Sequence, residues 1–215
     1  MAVSKQEVVQ LLKSRNFEGL NRLERPGVFR VLRGLGYDPE DEIFWRACEA
    51  MGPFSKAKAG EEGAEAVRGM VRRLVWSLSD ESGDMAWNAP MMLTEMFLWN
   101  PDICSDIAPI LVNLDELIFR KSAVLAAARI AGSYPGVVRE VVDEIVHELD
   151  NTDPETRAYA AWALGELREE RVLVQLRRMT RDEGGPVKVY REGSLLRLRV
   201  GDLAREAVGR IEQKT

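Results

Sequence analysis

The stretch from Asp153 to Leu167 constrains the fold more than any other: Asp-Pro-Glu-Thr-Arg-Ala-Tyr-Ala-Ala-Trp-Ala-Leu-Gly-Glu-Leu. Asp153 suits a helix N-cap, where its side chain accepts from an open backbone amide. Pro154 fits the first helical position, where its missing donor costs nothing. Glu155 places negative charge in the first turn, opposite the positive end of the helix dipole. Ala160, Ala161, Ala163, Leu164 and Leu167 recur at helical spacing, so one face is apolar. Small residues on that face admit a second helix at close range, and Gly165 permits a contact that a side chain would block. One such helix cannot bury its own face and requires neighbours of the same kind.

Those neighbours are in the chain. The segment Phe119 to Ile130 aligns with Arg120 on Arg157 and Ala123 on Ala160, and Val200 to Ile211 aligns with Ala204 on Ala160 and Gly209 on Gly165. Met85 to Leu93 is a looser copy. Arg120 and Arg157 are 37 residues apart, and Ala89 and Ala123 are 34 apart. A helical pattern with a period of roughly 20–50 residues signals a solenoid.

These segments resemble HEAT repeats, in particular the short HEAT-like repeats of phycobilin lyases, over about residues 64–213. The block Trp76 to Gly83, continuing Trp87-Asn88-Ala89-Pro90, also resembles a pattern in uncharacterised bacterial HEAT-repeat proteins. The resemblance implies an all-α, right-handed α-solenoid of helix pairs. It further implies a non-enzymatic scaffold that binds a protein partner on its concave face.

Read in order, the chain predicts helices over 5–15, with Ser4 and Glu7 as a capping box, over 16–24, and over 26–35 with a stop at Gly36. A fourth begins at Asp38-Pro39-Glu40 and ends at Gly52-Pro53. The segment 52–63 reads as a flexible junction, dividing an N-terminal helical cap (1–60) from a repeat array (61–215). Helices follow over 64–78, over 84–98 with a kink at Pro90, and over 103–114, 117–132, 135–149, 154–167 and 170–180. The alternation of Val187 and Val189, and of Leu196, Leu198 and Val200, around Glu192-Gly193 predicts a β-hairpin within 186–200 before the last helix, 201–213. Its role is either a lid over the C-terminal end of the array or an extended edge for a partner.

Charge bounds the choice of partner. Residues 1–75 carry 13 Lys/Arg against 11 Asp/Glu, residues 76–155 carry 4 against 15, and residues 156–215 carry 13 against 9. The acidic middle repels phosphate backbones and argues against nucleic acid, leaving only a basic end for it. Arg15, Arg22, Arg25, Arg30 and Arg33 form the best anion-binding series. No apolar run reaches the roughly 18 residues of a membrane span, and the start of the chain reads as an amphipathic helix without a signal sequence. Cys48 and Cys104 lie far apart and read as buried thiols of a cytoplasmic protein.

Catalytic and metal constellations are not legible. The single histidine, His147, reads as an interfacial or exposed helix residue. With Glu148 it resembles one unit of the HEAT-repeat hydroxylases that modify deoxyhypusine, but one His-Glu pair cannot complete an iron site. Cys48, Cys104 and His147 lack zinc spacing, and no phosphate-loop motif occurs. No cofactor, catalytic or metal-ligating residue is therefore assigned.

The candidate partner-binding residues are a polar–aromatic patch, Glu81, Asp84, Trp87 and Asn88, extended by Tyr159 and Trp162, because exposed Trp and Tyr carry disproportionate binding energy. Arg120 and Arg157 join it as a recurrent pair; otherwise each bonds the preceding loop acid, Asp115 or Asp153. Two other readings compete. Chromophore handling, as in phycobilin lyases, requires an apolar groove near Trp76, Trp87 and Trp162. Base excision, as in HEAT-like alkylpurine glycosylases, requires a basic groove that the acidic middle opposes.

Overall fold

A computed structural model describes residues 3–23, 25–35, 38–78, 88–113 and 119–213. The described chain is mostly helical, with one two-stranded antiparallel sheet. It falls into two compact units, Met1–Ala108 and Pro109–Thr215.

The first unit holds α1 (Lys5–Lys13), α2 (Phe17–Asn21), α3 (Arg25–Gly34), α4 (Glu42–Glu62), α5 (Ala64–Leu78) and α6 (Ala89–Trp99). Helix α4 touches all five others. It starts three residues later than the Asp38-Pro39 signal suggests, because Asp41 is the cap and its carboxylate accepts from the Ile43 amide at 2.9 Å. It also runs straight through Gly52-Pro53, so the expected stop and the flexible junction over 52–63 are corrected. Glycine and proline inside a helix cost about 1 and 3 kcal/mol. Burial of Phe44, Cys48, Met51 and Phe54 on one continuous stripe offsets that cost. Gly52 is a packing residue: a Cβ there would lie 2.2 Å from Cδ1 of Trp99 on α6.

Two further expectations change in this unit. Ser4 makes no side-chain cap bond at α1; Arg46 of α4 instead donates to the Leu12 and Lys13 carbonyls at that helix's other end. Pro90 sits in the first turn of α6 and not inside a longer helix, so it needs no kink. Residues 84–87 of the expected helix, and the Gly36 stop, lie outside the described residues.

The second unit begins within α7 (Ala108–Leu111) and continues through α8 (Arg120–Ala131), α9 (Pro135–Arg139), α10 (Val142–His147), α11 (Pro154–Glu166) and α12 (Leu173–Met179). Strands β1 (Val187–Arg191) and β2 (Ser194–Leu198) precede α13 (Val200–Glu212). The expected helix over 135–149 is broken at Val141, whose backbone leaves the helical region at φ −120°, ψ 21°. Helix α11 packs between α8 and α13, with α10 and β1 against it as well. The Asp153 carboxylate accepts from the Thr156 amide at 3.0 Å and from its hydroxyl at 2.7 Å, and Pro154 opens the helix. A Cβ on Gly165 would stand 2.6 Å from Cα and Cβ of Ala207, so the glycine is what lets α13 come so near.

In the hairpin, Val187 opposes Leu198, Val189 opposes Leu196 and Arg191 opposes Ser194. Both turn residues have positive φ, Glu192 at 52° and Gly193 at 83°, the type I′ geometry that matches strand twist.

Candidate interaction site

Glu155, Tyr159, Trp162 and Glu166 share one stripe of α11, at helical spacing. Strand β1 is fastened to this stripe mainly through its backbone. The Lys188 amide donates to Oε1 of Glu155 at 3.2 Å, and the Tyr159 hydroxyl donates to the Lys188 carbonyl at 2.6 Å. From α8, Arg129 donates to the Tyr190 carbonyl at 3.2 Å. The Arg191 guanidinium lies over the Trp162 ring, 4.3 Å from its centroid, and pairs with Glu206 of α13 at 2.7 Å. Trp162 in turn donates to Glu166 at 2.8 Å, and Arg210 pairs with the same carboxylate at 3.2 Å.

The hairpin therefore crosses α8, α11 and α13 and does not simply close the end beyond α13. Strand β1 is almost wholly buried, while Ser194, Leu196 and Arg197 of β2 are exposed. The hairpin stands on its β1 edge, with β2 as the rim.

Electrostatics follow from this packing. Glu155 is 9% exposed and is compensated by Lys121 at 2.9 Å and Lys188 at 3.4 Å. Burial, with the nearby charges of Glu155 and Asp153, pushes the Tyr159 hydroxyl well above its ordinary range, so it acts as a donor. Burial opposes the charge on Asp153, yet the two Thr156 bonds and Lys121 together hold its carboxyl below the usual value. The Cys104 thiol is pushed up to about 11, first by burial and then by Asp106, which makes it a poor nucleophile. Among the described residues no group of three His, Cys, Asp or Glu can hold a metal ion, and no helix is long and apolar enough to cross a membrane. His147 is exposed on α10.

Of the sequence-derived aromatic patch, the residues described are Asn88, Tyr159 and Trp162, and all three are buried. Glu81, Asp84 and Trp87 lie outside the described residues. Asn88 is buried and donates to the Arg33 carbonyl at 2.8 Å. Tyr159 and Trp162 are 2% and 7% exposed, packed beneath the hairpin. The Trp162 ring, which a chromophore groove would have to expose, is covered by Arg191. Arg120 pairs with Glu148 at 3.5 Å and Arg157 with Asp182 at 2.9 Å, so both reach forward in the chain; Arg157 also holds the Asn151 and Thr152 carbonyls. Asp153 is engaged by Thr156 and Lys121 instead, and Asp115 lies outside the described residues. Within the N-terminal arginine series, Arg15 pairs with Glu49, Arg22 lies 3.9 Å from Glu18 and Arg33 covers the Phe29 ring.

Two surfaces lie outside the partner-binding residues drawn from the sequence, which named Trp76 only for a chromophore groove. Trp76 is 69% exposed, on the same side of α5 as Arg72. Its position off the apolar stripe of Val67, Met70, Val71 and Leu74 was the available signal. On α12, Val174 is 62% exposed beside Arg177, Arg178 and Arg181, which line a shallow cleft. The run of arginines was visible; its grouping around an exposed valine was not.

The small-residue helices α8, α11 and α13, packed in succession, define a helical-repeat protein. A family model described as HEAT-like repeat matches residues 118–167, spanning α8 to α11, and the chain belongs to the HEAT-repeat proteins. It is also 31% identical over 176 residues to an uncharacterized protein of Archaeoglobus fulgidus, an alignment covering 78% of this chain and 88% of that relative.

Proposed function

We propose that this chain is a non-enzymatic scaffold that binds a protein partner. The supporting observation is Trp76, a large aromatic left 69% exposed on a helix whose other large apolar residues face inward. Tryptophan and arginine dominate the binding energy of protein interfaces, and Trp76 stands beside Arg72 and Arg73. Glu81, Asp84 and Trp87 follow it closely in sequence and belong to the same proposal. A concave-face site is the general expectation for HEAT arrays, whose helix pairs succeed one another in a right-handed sense. In the second unit β1 already covers the α11 stripe, so we assign the partner contact to α5.

Affinity capture at mild salt tests the assignment. Trp76→Ala should lose a stoichiometric protein that the unaltered chain retains. Its unfolding midpoint should barely move, since exposed substitutions usually fall within about 0.5 kcal/mol. Capture that is unchanged by Trp76→Ala, or a bound chromophore in the absorption spectrum, would count against the reading.

A further inference from the structure

We propose that the cleft on α12 docks a short, extended acidic segment of a partner protein, with an aliphatic side chain on Val174 and carboxylates on Arg178 and Arg181. The site lies within the second unit and is independent of the Trp76 surface.

Val174, Arg177, Arg178 and Arg181 line the cleft, and all four are exposed. Their spacing of i, i+3, i+4 and i+7 sets them on one face of α12 and the turn after it. Leu176, on another face, is the buried anchor of the helix. A lone exposed valine says little. This one stands in a cleft whose other walls are guanidinium groups.

The positive charge there is not neutralised from within. No acid occurs between Leu173 and Arg181. Asp182 and Glu183, which follow, are taken by Arg157 and Arg199. Glu212 of α13 reaches Arg177, but both bonds, from Nε and Nη2, end on its Oε1. Among the described residues, no carboxylate pairs with Arg178 or Arg181. The negative end of α12 favours cations in its last turn, which suits Arg177 and Arg178. Arg181 lies beyond that turn, so the helix dipole does not account for the whole stripe.

Charge complementarity selects an acidic ligand, and the dimensions select its form. The stripe runs about 10 Å along the helix, with Val174 and Arg178 about 6 Å apart. Same-face residues of an extended chain are about 6.7 Å apart. An aliphatic residue with a carboxylate two positions on therefore spans Val174 and Arg178, and a further carboxylate reaches Arg181. Each guanidinium fork matches a carboxylate through parallel N–H bonds. A nucleic acid fits less well. The lining offers no aromatic ring on which a base could stack, and Glu212, held at Arg177, opposes a run of phosphates.

The probe is a capped peptide, Leu-Ser-Glu-Asp-Glu-Ser-Leu, whose symmetry presents the same spacing in either chain direction. Titrated into the full chain at low salt, it should shift the backbone amides of residues 174–182 and the Nε–H signals of Arg178 and Arg181 in nitrogen-15 NMR spectra. The dissociation constant should be about 0.1–1 mM, and about 0.5 M salt should weaken it several-fold. Arg178→Gln with Arg181→Gln should weaken it about tenfold or more. The fold should hold, since neither side chain has an ion pair to lose. Replacing both leucines of the peptide by serine should weaken binding to the unaltered chain but not to Val174→Ser. Arg73→Gln and Trp76→Ala on α5 should leave binding unchanged, so the two surfaces stand or fall separately. No shift on α12, undiminished binding to the double glutamine variant, or equal affinity for the leucine-free peptide would each overturn the proposal. So would tighter binding of an oligothymidylate of the same charge, or equal shifts from inorganic phosphate at the same concentration.

Discussion

Helices α11 and α13 carry the same motif, aligned on Ala160 and Ala204, and bury it differently. Residues Ala158 to Gly165 of α11 are buried without a break. Helix α13 buries Leu203, Ala204, Ala207 and Ile211 and presents Asp202, Arg205, Glu206 and Arg210. Those four align with Ala158, Ala161, Trp162 and Glu166. The difference is in the neighbours: α8, α10, α13 and β1 surround α11, whereas α13 rests chiefly on α11 and α12. In a repeat array, how amphipathic a helix is records how many elements enclose it, while the shared motif records only the face that meets the next helix.

The paired glycines offer the sharpest way to break this comparison. A Cβ on Gly165 would meet Ala207 backbone at 2.6 Å, while one on Gly209 would meet nothing within 4 Å. Gly165→Ala should destabilise by about 3 kcal/mol, the upper range for overpacking. Gly209→Ala should stabilise by about 0.5–1 kcal/mol through helix propensity. Urea unfolding of both variants checks the sign as well as the size, and equal effects would show that the two helices are not differently enclosed.

A smaller effect belongs to the main-chain grip that α11 has on the hairpin through Glu155 and Tyr159. Tyr159→Phe removes the donor to the Lys188 carbonyl and should cost about 1–2 kcal/mol. Amide exchange in β1 should quicken, while α13 stays protected until global unfolding.

The caps give the smallest test. Asp153→Ala should cost about 1 kcal/mol at neutral pH. The carboxyl of Asp153 lies below its ordinary 3.8 in the folded chain. Its contribution is therefore fully present above that value and is lost as pH falls through the depressed folded value. Asp202 of α13 is held low first by the Arg199 amide and then by Arg205, and it accepts one backbone bond where Asp153 accepts from both the amide and the hydroxyl of Thr156. Asp202→Ala should cost less, about 0.5 kcal/mol or below, with the same pH sense. Unfolding curves at neutral pH and near pH 2 measure both.

What the sequence made legible was local. Asp153, Pro154 and Gly165 were readable because capping, helix initiation and close approach each depend on one residue type at one offset. The Glu192-Gly193 turn was readable for the same reason. Gly52-Pro53 misled because its local signal is a stop, and only the distant Trp99 reveals a packing position. The ion pairing of Arg120 and Arg157 was foreseeable, but whether they reach back or forward depends on the turn between successive repeats. Aromatic identity marked Tyr159 and Trp162 as important without saying they would be covered, since the cover arrives from residues 187–191. The candidate site was thus less legible than the fold: its decisive contacts are long-range.

Glu155, Tyr159 and Arg129 hold the hairpin by main-chain atoms, which every amino acid except proline supplies in full. The grip reads the shape of an extended segment and hardly its spelling. The freedom lies in the exposed positions of β2, because Val187, Val189 and Tyr190 of β1 are buried and Arg191 is tied to Trp162 and Glu206. Positions 195 to 198 can change what the molecule displays without disturbing what holds it up.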